Sequence, residues 1–239
     1  MPDLISIVIP VYNEGANFAA LWAEVCSKIR SDFIALVVYD FTEDNTVPAV
    51  QRVIDNGETR IRLIKNLIRR GVVGAIASGF EQVEHGPILV VMADLSDDLG
   101  RVDSMLALYQ QGYQLVAGSR YMKGGKMEGG PIVKKFLSRM AGLSLHWFRG
   151  IPTHDATNAF KMYDSGMLKT FTIESQHGFE LNLELTVKTF LGGYRIGEVP
   201  STWRDRTEGI SRFQLWKWLP SYLKWYFYAF RPRHNTKPV

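Results

Sequence analysis

The sequence predicts an α/β protein with a doubly wound, mostly parallel central sheet flanked by helices. Two observations predict it. As far as Ala117, short β-branched runs alternate with helix-length segments, the rhythm of parallel strands joined by right-handed crossovers. The runs are apolar throughout rather than alternating, as strands covered on both faces require. A third observation locates the chemistry: polar clusters follow these runs, at the carboxyl edge where sheets of this kind bind ligands.

The predicted strands are residues 5–9, 34–39, 61–64, 88–92 and 114–117, and the predicted helices are 18–29, 47–55, 75–82 and 102–111. Past Gly118 the rhythm changes. Residues 123–130, with glycines at 124, 125, 129 and 130, read as a mobile loop, followed by a helix over 132–148. A strand at 159–163, a helix at 179–190 and a strand at 194–199 complete the fold. This gives one domain over residues 1–212 and an aromatic, basic C-terminal segment over 213–239, broken by Pro220.

The 239 residues are 46% hydrophobic and 22% charged, enough for a substantial single core. The net charge of +4 is a feature of the tail: residues 201–239 carry 8 Lys or Arg against 2 Asp or Glu. Basic character alone does not choose among nucleic acid, anionic lipid and phosphorylated substrates, but no nucleic-acid-binding module accompanies it. The single cysteine, Cys26, excludes an internal disulfide and a cysteine-cluster metal site, and is expected on the buried face of a helix. Residues 1–10 lack a basic leader followed by a long apolar stretch, so a cytosolic chain is expected. His85, His146, His154, His177 and His234 show no metal-ligand spacing.

The first strand runs into Pro10-Val11-Tyr12-Asn13-Glu14, a polar strand-to-helix exit. The second ends at Asp40, inside Tyr39-Asp40-Phe41-Thr42-Glu43-Asp44-Asn45-Thr46, where Asp44 and Thr46 suit the cap of the next helix. Arg70-Gly71-Val72-Val73-Gly74-Ala75 lets the backbone come close to a ligand before a helix begins, but it is neither a dinucleotide fingerprint nor a phosphate-binding loop with Gly-Lys-Ser/Thr. After the fourth strand comes Met92-Ala93-Asp94-Leu95-Ser96-Asp97-Asp98, and after the fifth Gly118-Ser119-Arg120-Tyr121. Lys134, Lys135, Ser138 and Arg139 share one predicted helix. Further blocks are residues 155–161, starting at Asp155, the run Gly178-Phe179-Glu180-Leu181 with Glu184, and the stretch 198–212 with Arg204, Arg206 and Arg212.

In this order, these blocks resemble the family 2 glycosyltransferases, and in particular their dolichol-phosphate mannose synthase branch. The resemblance covers roughly the first nine-tenths of the chain. It implies a nucleotide-diphospho-sugar transferase (GT-A) fold with a nucleotide pocket lined by Pro10, Tyr12, Glu14, Asp40, Arg70, Gly71 and Ala93. It implies a D-x-D element for Mg²⁺ or Mn²⁺, of which Asp94 is retained, with Ser96, Asp97 or water to supplement it, while Met92 stands where the first Asp belongs. A thioether is a poor ligand for such hard cations. Asp94, Arg120 and Glu184 are the expected catalytic groups. Lys134, Lys135, Ser138, Arg139, Asp155, Arg204, Arg206 and Arg212 are expected near the acceptor and its phosphate.

The donor implied is a nucleotide-sugar, GDP-mannose or a UDP-hexose, and the acceptor a polyprenyl or dolichyl phosphate, with inversion at the anomeric carbon. A phosphate acceptor is already anionic and needs no strong general base; a glycan or soluble hydroxyl acceptor needs one, for which Glu184 or Asp155 would serve. Met92, and Tyr39 where the resembled turn after the second strand has its first Asp, also leave open a non-catalytic nucleotide-binding subunit. The aromatic and basic residues of 213–239 suit a membrane interface, which predicts a peripheral protein on a cytoplasmic membrane face; the alternative is a helix packed on the protein's own core.

Overall fold

The computed structural model describes residues 4–205 and 215–233. The apolar runs become β1 (Ile5–Pro10), β2 (Phe33–Tyr39), β3 (Ile61–Lys65), β4 (Pro87–Val90) and β5 (Leu115–Ser119). After β6 (Lys126–Glu128) come β7 (Lys161–Asp164), β8 (Ile196–Pro200) and β9 (Thr202–Arg204). Seven strands form one sheet in the order β3-β2-β1-β4-β7-β5-β8, parallel except for β7, which runs antiparallel to both neighbours. The chain winds outward from β1 to β3 and then crosses back to β4 on the other side of β1. A crevice therefore opens at the carboxyl ends of β1 and β4.

The helices are α1 (Gly15–Lys28), α2 (Thr46–Asp55), α3 (Val72–Glu81), α4 (Val102–Gln110), α5 (Ile132–Ser144), α6 (Ser165–Lys169), α7 (Glu180–Leu191) and α8 (Leu215–Tyr228). In α1, Phe18, Leu21, Trp22 and Val25 recur at helical spacing and are buried, so a single stripe meets the sheet. With α2 and α4 this helix covers one face, against Ile5, Ile7, Val37 and Leu89. The other face, with Val8, Leu36, Val38 and Val90, is covered by α3, α7 and α8. Helix α7 is buried nearly all round, and its hydroxyls bond within the helix, Thr186 to the Asn182 carbonyl at 2.7 Å and Thr189 to that of Leu185 at 2.7 Å.

Four expectations are corrected. Residues 123–130 are not simply a loop, because β6 pairs in parallel with β9 and ties the glycine-rich stretch to the end of the fold. Helix α5 stops at Ser144 and continues as one π turn, Leu145–Arg149, closed by Gly150 at φ 75°. Cys26 is exposed, with the Arg60 guanidinium 3.5 Å from its sulfur. Pro220 does not break α8, which runs through it. The downstream half of that helix is anchored: Trp225 is 1% exposed, Arg149 donates to the Ala229 carbonyl at 2.6 Å, and Tyr226 donates to Ser144 at 3.0 Å. The lost backbone bond is outweighed by burial. Thus the described part of the C-terminal segment packs on the protein's own core. Among the described residues no helix is long and apolar enough to cross a membrane.

Candidate active site

The carboxyl ends of β1, β2 and β4 open on a cleft of 1410 Å³, walled on the far side by α5 and α8. Its floor is built by loops that brace one another. Asn13, in the left-handed region at φ 56°, donates its N–H to the Asp44 carboxylate (3.0 and 3.1 Å). Glu14 N–H donates to Thr46 Oγ1 at 2.9 Å, and Gly15 N–H to Asn45 Oδ1 at 2.8 Å. Asp44 accepts from Thr46 N–H at 2.8 Å, as a cap would, yet it is fully buried and also clamps the first loop to the second.

Asp40 sits on the cleft wall and is held at both oxygens: Oδ1 accepts from Asn66 Nδ2 at 2.6 Å, and Oδ2 from Gly71 N–H at 2.8 Å. Gly71 has φ 103°, which a side chain disfavours, and a Cβ at Gly74 would lie 1.7 Å from the Arg69 carbonyl oxygen. Asn66 is the hub here, since its Oδ1 also accepts from Ser78 Oγ at 2.9 Å and Ile68 N–H at 3.1 Å. No sequence signal marked Asn66, a lone polar residue after β3. Beside Asp40, Tyr12 and Phe41 meet edge to face with centroids 5.4 Å apart, an aromatic wall at the outer end of the cleft.

The turn after β4 brings Met92, Ala93, Asp94, Ser96 and Asp97 to the cleft. Leu95 is in the left-handed region at φ 60°, a strained setting for a branched residue. Asp94 Oδ1 accepts from Ser96 N–H at 3.2 Å. Asp97 is 9% exposed and accepts from Met92 N–H at 2.9 Å; burial, offset in part by that bond and reinforced by the nearby Asp94 charge, pushes its carboxyl up to about 7. A divalent cation in the role the resemblance implies would meet oxygen donors here, the Asp94 carboxylate and the Ser96 hydroxyl. No group of three His, Cys, Asp or Glu side chains able to hold a metal occurs among the described residues. The donors therefore fit an ion shared with a diphosphate and water rather than one caged by protein alone.

Arg120 lies at the back of the cleft, buried, and also lines a smaller cavity of 450 Å³ with Tyr121, Lys126, Lys135 and Arg139. The guanidinium fork of Arg120, one of the expected catalytic groups, is bonded within the protein. Nε and Nη2 donate to Asp155 at 2.6 and 2.8 Å, and the backbone N–H adds a third bond at 3.0 Å. Burial opposes charge on both partners, yet their mutual attraction prevails, holding the Asp155 carboxyl below its ordinary range and the Arg120 guanidinium above. Asp155 is 0% exposed, so its expected contact with the acceptor is corrected to orienting Arg120. Behind the pair, Lys161 donates to the carbonyls of Ala156 and Asn158, and burial pulls its ammonium down to about 7 against the attraction of Asp155.

Glu184 is likewise corrected as a catalytic group. It is 0% exposed, and its carboxylate accepts from the N–H groups of Glu174 and Ser175 (2.7 Å each) and from Lys188 Nζ at 2.7 Å. Of the other expected residues, Pro10, Tyr12, Glu14, Arg70, Gly71, Ala93 and Ser138 line the cleft. Ser138 bonds with the Tyr121 hydroxyl. Arg204 is turned outward on β9, 3.3 Å from Glu128. Arg206 and Arg212, and the side chain of Lys134, lie outside the described residues. Sequence reasoning did not place Trp218, Leu219, Tyr222, Leu223 and Tyr226 of α8 in the cleft wall.

The glycosyl transferase family 2 model matches residues 6–171, from β1 through α6. The chain belongs to this family. It is 26% identical over 216 residues to a dolichol-phosphate mannosyltransferase of Pyrococcus furiosus, covering 88% of this chain and 59% of that protein. It is 26% identical over 214 residues to a polyprenol monophosphomannose synthase of Mycolicibacterium smegmatis, covering 86% of this chain and 79% of the relative. The chain therefore spans little more than half the length of the first relative. The glucosyl-3-phosphoglycerate synthase of Mycobacterium tuberculosis, solved with Mn²⁺, UDP and glucosyl-3-phosphoglycerate, aligns with TM-score 0.68 at 14% identity, covering 99% of this chain and 83% of that one. The same enzyme with Mg²⁺ and UDP aligns at TM-score 0.61 and 17% identity, over 87% and 72% of the two chains. The fold is that of the GT-A transferases.

Proposed function

We propose that the protein is a glycosyltransferase that moves a hexose from a nucleoside-diphosphate sugar, GDP-mannose or a UDP-hexose, to a polyprenyl phosphate. One observation carries this reading: a single cleft joins a carboxylate-lined end at Asp40 and Asp94 to a wall of apolar side chains from α5 and α8. A nucleotide suits the first end and a lipid the second. The relatives' names, a dolichol-phosphate mannosyltransferase and a polyprenol monophosphomannose synthase, point to the same pair of substrates.

The acceptor's phosphate oxygen attacks the anomeric carbon as the bond from that carbon to the diphosphate breaks, with inversion. A bound Mg²⁺ or Mn²⁺ would neutralise charge on the departing diphosphate. Asp94 and Ser96 would orient that end of the donor, Asp40 would accept from the nucleobase, and Arg70 would face the phosphates. Arg120, fixed by Asp155, supplies a preorganised positive charge between the main cleft and the smaller basic cavity of Lys135 and Arg139. A hydroxyl acceptor is less well served. Asp155 and Glu184, the two carboxylates expected to act as its base, are buried and held by other groups.

The acceptor wall continues outward as an apolar surface. Nine of the fourteen large exposed apolar side chains among the described residues lie on α5, its π turn and α8, among them Ile132, Phe136, Trp147, Phe148 and Phe227, and Phe230 follows α8. Residues 129–154 contain no carboxylate and four Lys or Arg, and residues 215–233 repeat that composition. Apolar and aromatic groups among cations suit the headgroup region of an anionic bilayer, so we assign this face to a peripheral membrane contact. The test is transfer of labelled sugar from GDP-mannose and from UDP-glucose with Mg²⁺, offering polyprenyl phosphate in vesicles beside water-soluble acceptors. Label in the organic phase supports the reading; label in soluble products alone overturns it.

A further inference from the structure

We infer that Asp97 supplies the second carboxylate of the cation site, replacing the one that Met92 cannot provide. The inference rests on the proposed cation at Asp94 and names a further ligand for it. The turn after β4 doubles back on itself through Leu95, at φ 60°, which brings Asp97 Oδ2 to 2.9 Å from the Met92 backbone nitrogen. The carboxylate missing from the side chain of residue 92 is thus returned to the same stretch of main chain from five residues on. Asp94 and Asp97 line the same cleft.

The neighbouring acid does not compete for this role. Asp98 accepts from Thr202 N–H at 3.2 Å and Arg101 Nε at 3.3 Å, tying the turn to β9 and to the helix that follows. The Ser96 carbonyl accepts from Arg204 N–H at 3.1 Å, a second tether to β9. With the turn fixed at both ends, Asp97 has little freedom to swing out. Asp97 is 9% exposed and lines the cleft together with Asp94, while the Arg120 fork is bonded to Asp155. Two carboxyl groups placed on one turn facing one cleft offer oxygen donors to a hard divalent cation.

The experiment is titration of Mn²⁺, followed by electron paramagnetic resonance, into the wild-type protein and variants saturated with GDP or UDP. Asp97→Asn keeps an oxygen to accept from Met92 N–H and is expected to weaken Mn²⁺ binding at least tenfold, as Asp94→Asn does, with metal-free nucleotide binding unchanged. Adding Met92→Asp to Asp97→Asn is expected to restore most of the loss. Wild-type Mn²⁺ affinity in Asp97→Asn, with the loss confined to Asp94→Asn, overturns the inference and leaves the cation reading intact. Wild-type affinity in both variants overturns the cation reading itself. Should Asp97→Asn not fold, electron–nuclear double resonance on wild-type protein carrying ¹³C in its aspartate carboxyls decides: two aspartates on Mn²⁺ support the inference, and one overturns it.

Discussion

The two ends of the cleft are built by opposite means. At the carboxyl edge of β1, β2 and β4, hydrogen bonds fix the functional groups: Asp40 by Asn66 and Gly71 of the loop after β3, Asp97 by Met92 of its own turn, the β1 exit by Asp44, Asn45 and Thr46 of the stretch after β2. At α5 and α8 the wall presents apolar side chains such as Leu137, Met140 and Leu223, 37–44% exposed, with Tyr226 bonded to Ser144 between the two helices. A nucleotide presents a fixed pattern of donors and acceptors, and rigid partners read it without a further ordering cost. A polyprenyl chain has no such pattern, and an apolar surface of roughly the right shape is sufficient. Arg120 stands at the junction, and its pairing with Asp155 is the rigid end's last element.

That comparison is broken most severely at the junction. Asp155→Ala leaves the buried Arg120 unpaired and is expected to destabilise the fold by about 3–5 kcal/mol in chemical denaturation. A loss below about 1 kcal/mol would show the pair to be exchangeable with solvent. Next in size, Asp94→Asn is expected to lower kcat on the order of 10²-fold or more, the scale for one preorganised electrostatic contact, while stability changes by less than about 0.5 kcal/mol. A destabilised but active variant would make Asp94 structural instead.

A smaller effect comes from Lys161. Its folded ammonium titrates near 7, well below the ordinary value of 10.5, because burial favours the neutral form. Between those pH values the unfolded chain binds more protons than the native one, so this group's stabilising contribution is present above 10.5 and is lost as pH falls through 7. Wild type is therefore expected to gain about 2 kcal/mol of stability between pH 7 and 9 relative to Lys161→Met. Parallel stability profiles for the two proteins would show that Lys161 remains charged when folded. Smallest in its effect on activity is Glu184→Gln, which weakens charged hydrogen bonds without touching the cleft. A cost of about 1–3 kcal/mol in stability with little change in kcat is expected, and a large fall in kcat in folded protein would return Glu184 to the chemistry.

The rigid end was the more legible in sequence, for a physical reason. Buried parallel strands impose continuous apolar runs, and the exits that follow them hold their Gly, Asn and Asp residues near one another in the chain. Position therefore carried information there, and β1 to β5 formed within a few residues of expectation. What escaped notice depends on partners distant in sequence. Asn66 matters because Asp40 and Ser78 reach it, and Arg120 meets a carboxylate 35 positions away. Glu184 was expected among the catalytic groups, but α7 is buried nearly all round, which a mixed polar and apolar pattern does not announce. Strand β6 has three residues and exists because β9 returns to it. The Pro220 signal was real in local terms and was overridden by the burial of Trp225 and Ala229.

The claim that one cleft serves a nucleotide through a rigid end and a lipid through an apolar one is tested most directly by damaging only the second. Phe136→Asp combined with Phe148→Asp places charge on two outward side chains, 61% and 75% exposed, at no expected cost to the fold. GDP and UDP binding, flotation with anionic vesicles and transfer to polyprenyl phosphate in those vesicles would be measured on this one protein. The account predicts nucleotide affinity within about twofold of wild type, together with loss of flotation and at least a tenfold fall in lipid transfer. Wild-type flotation and wild-type transfer to the lipid would contradict it.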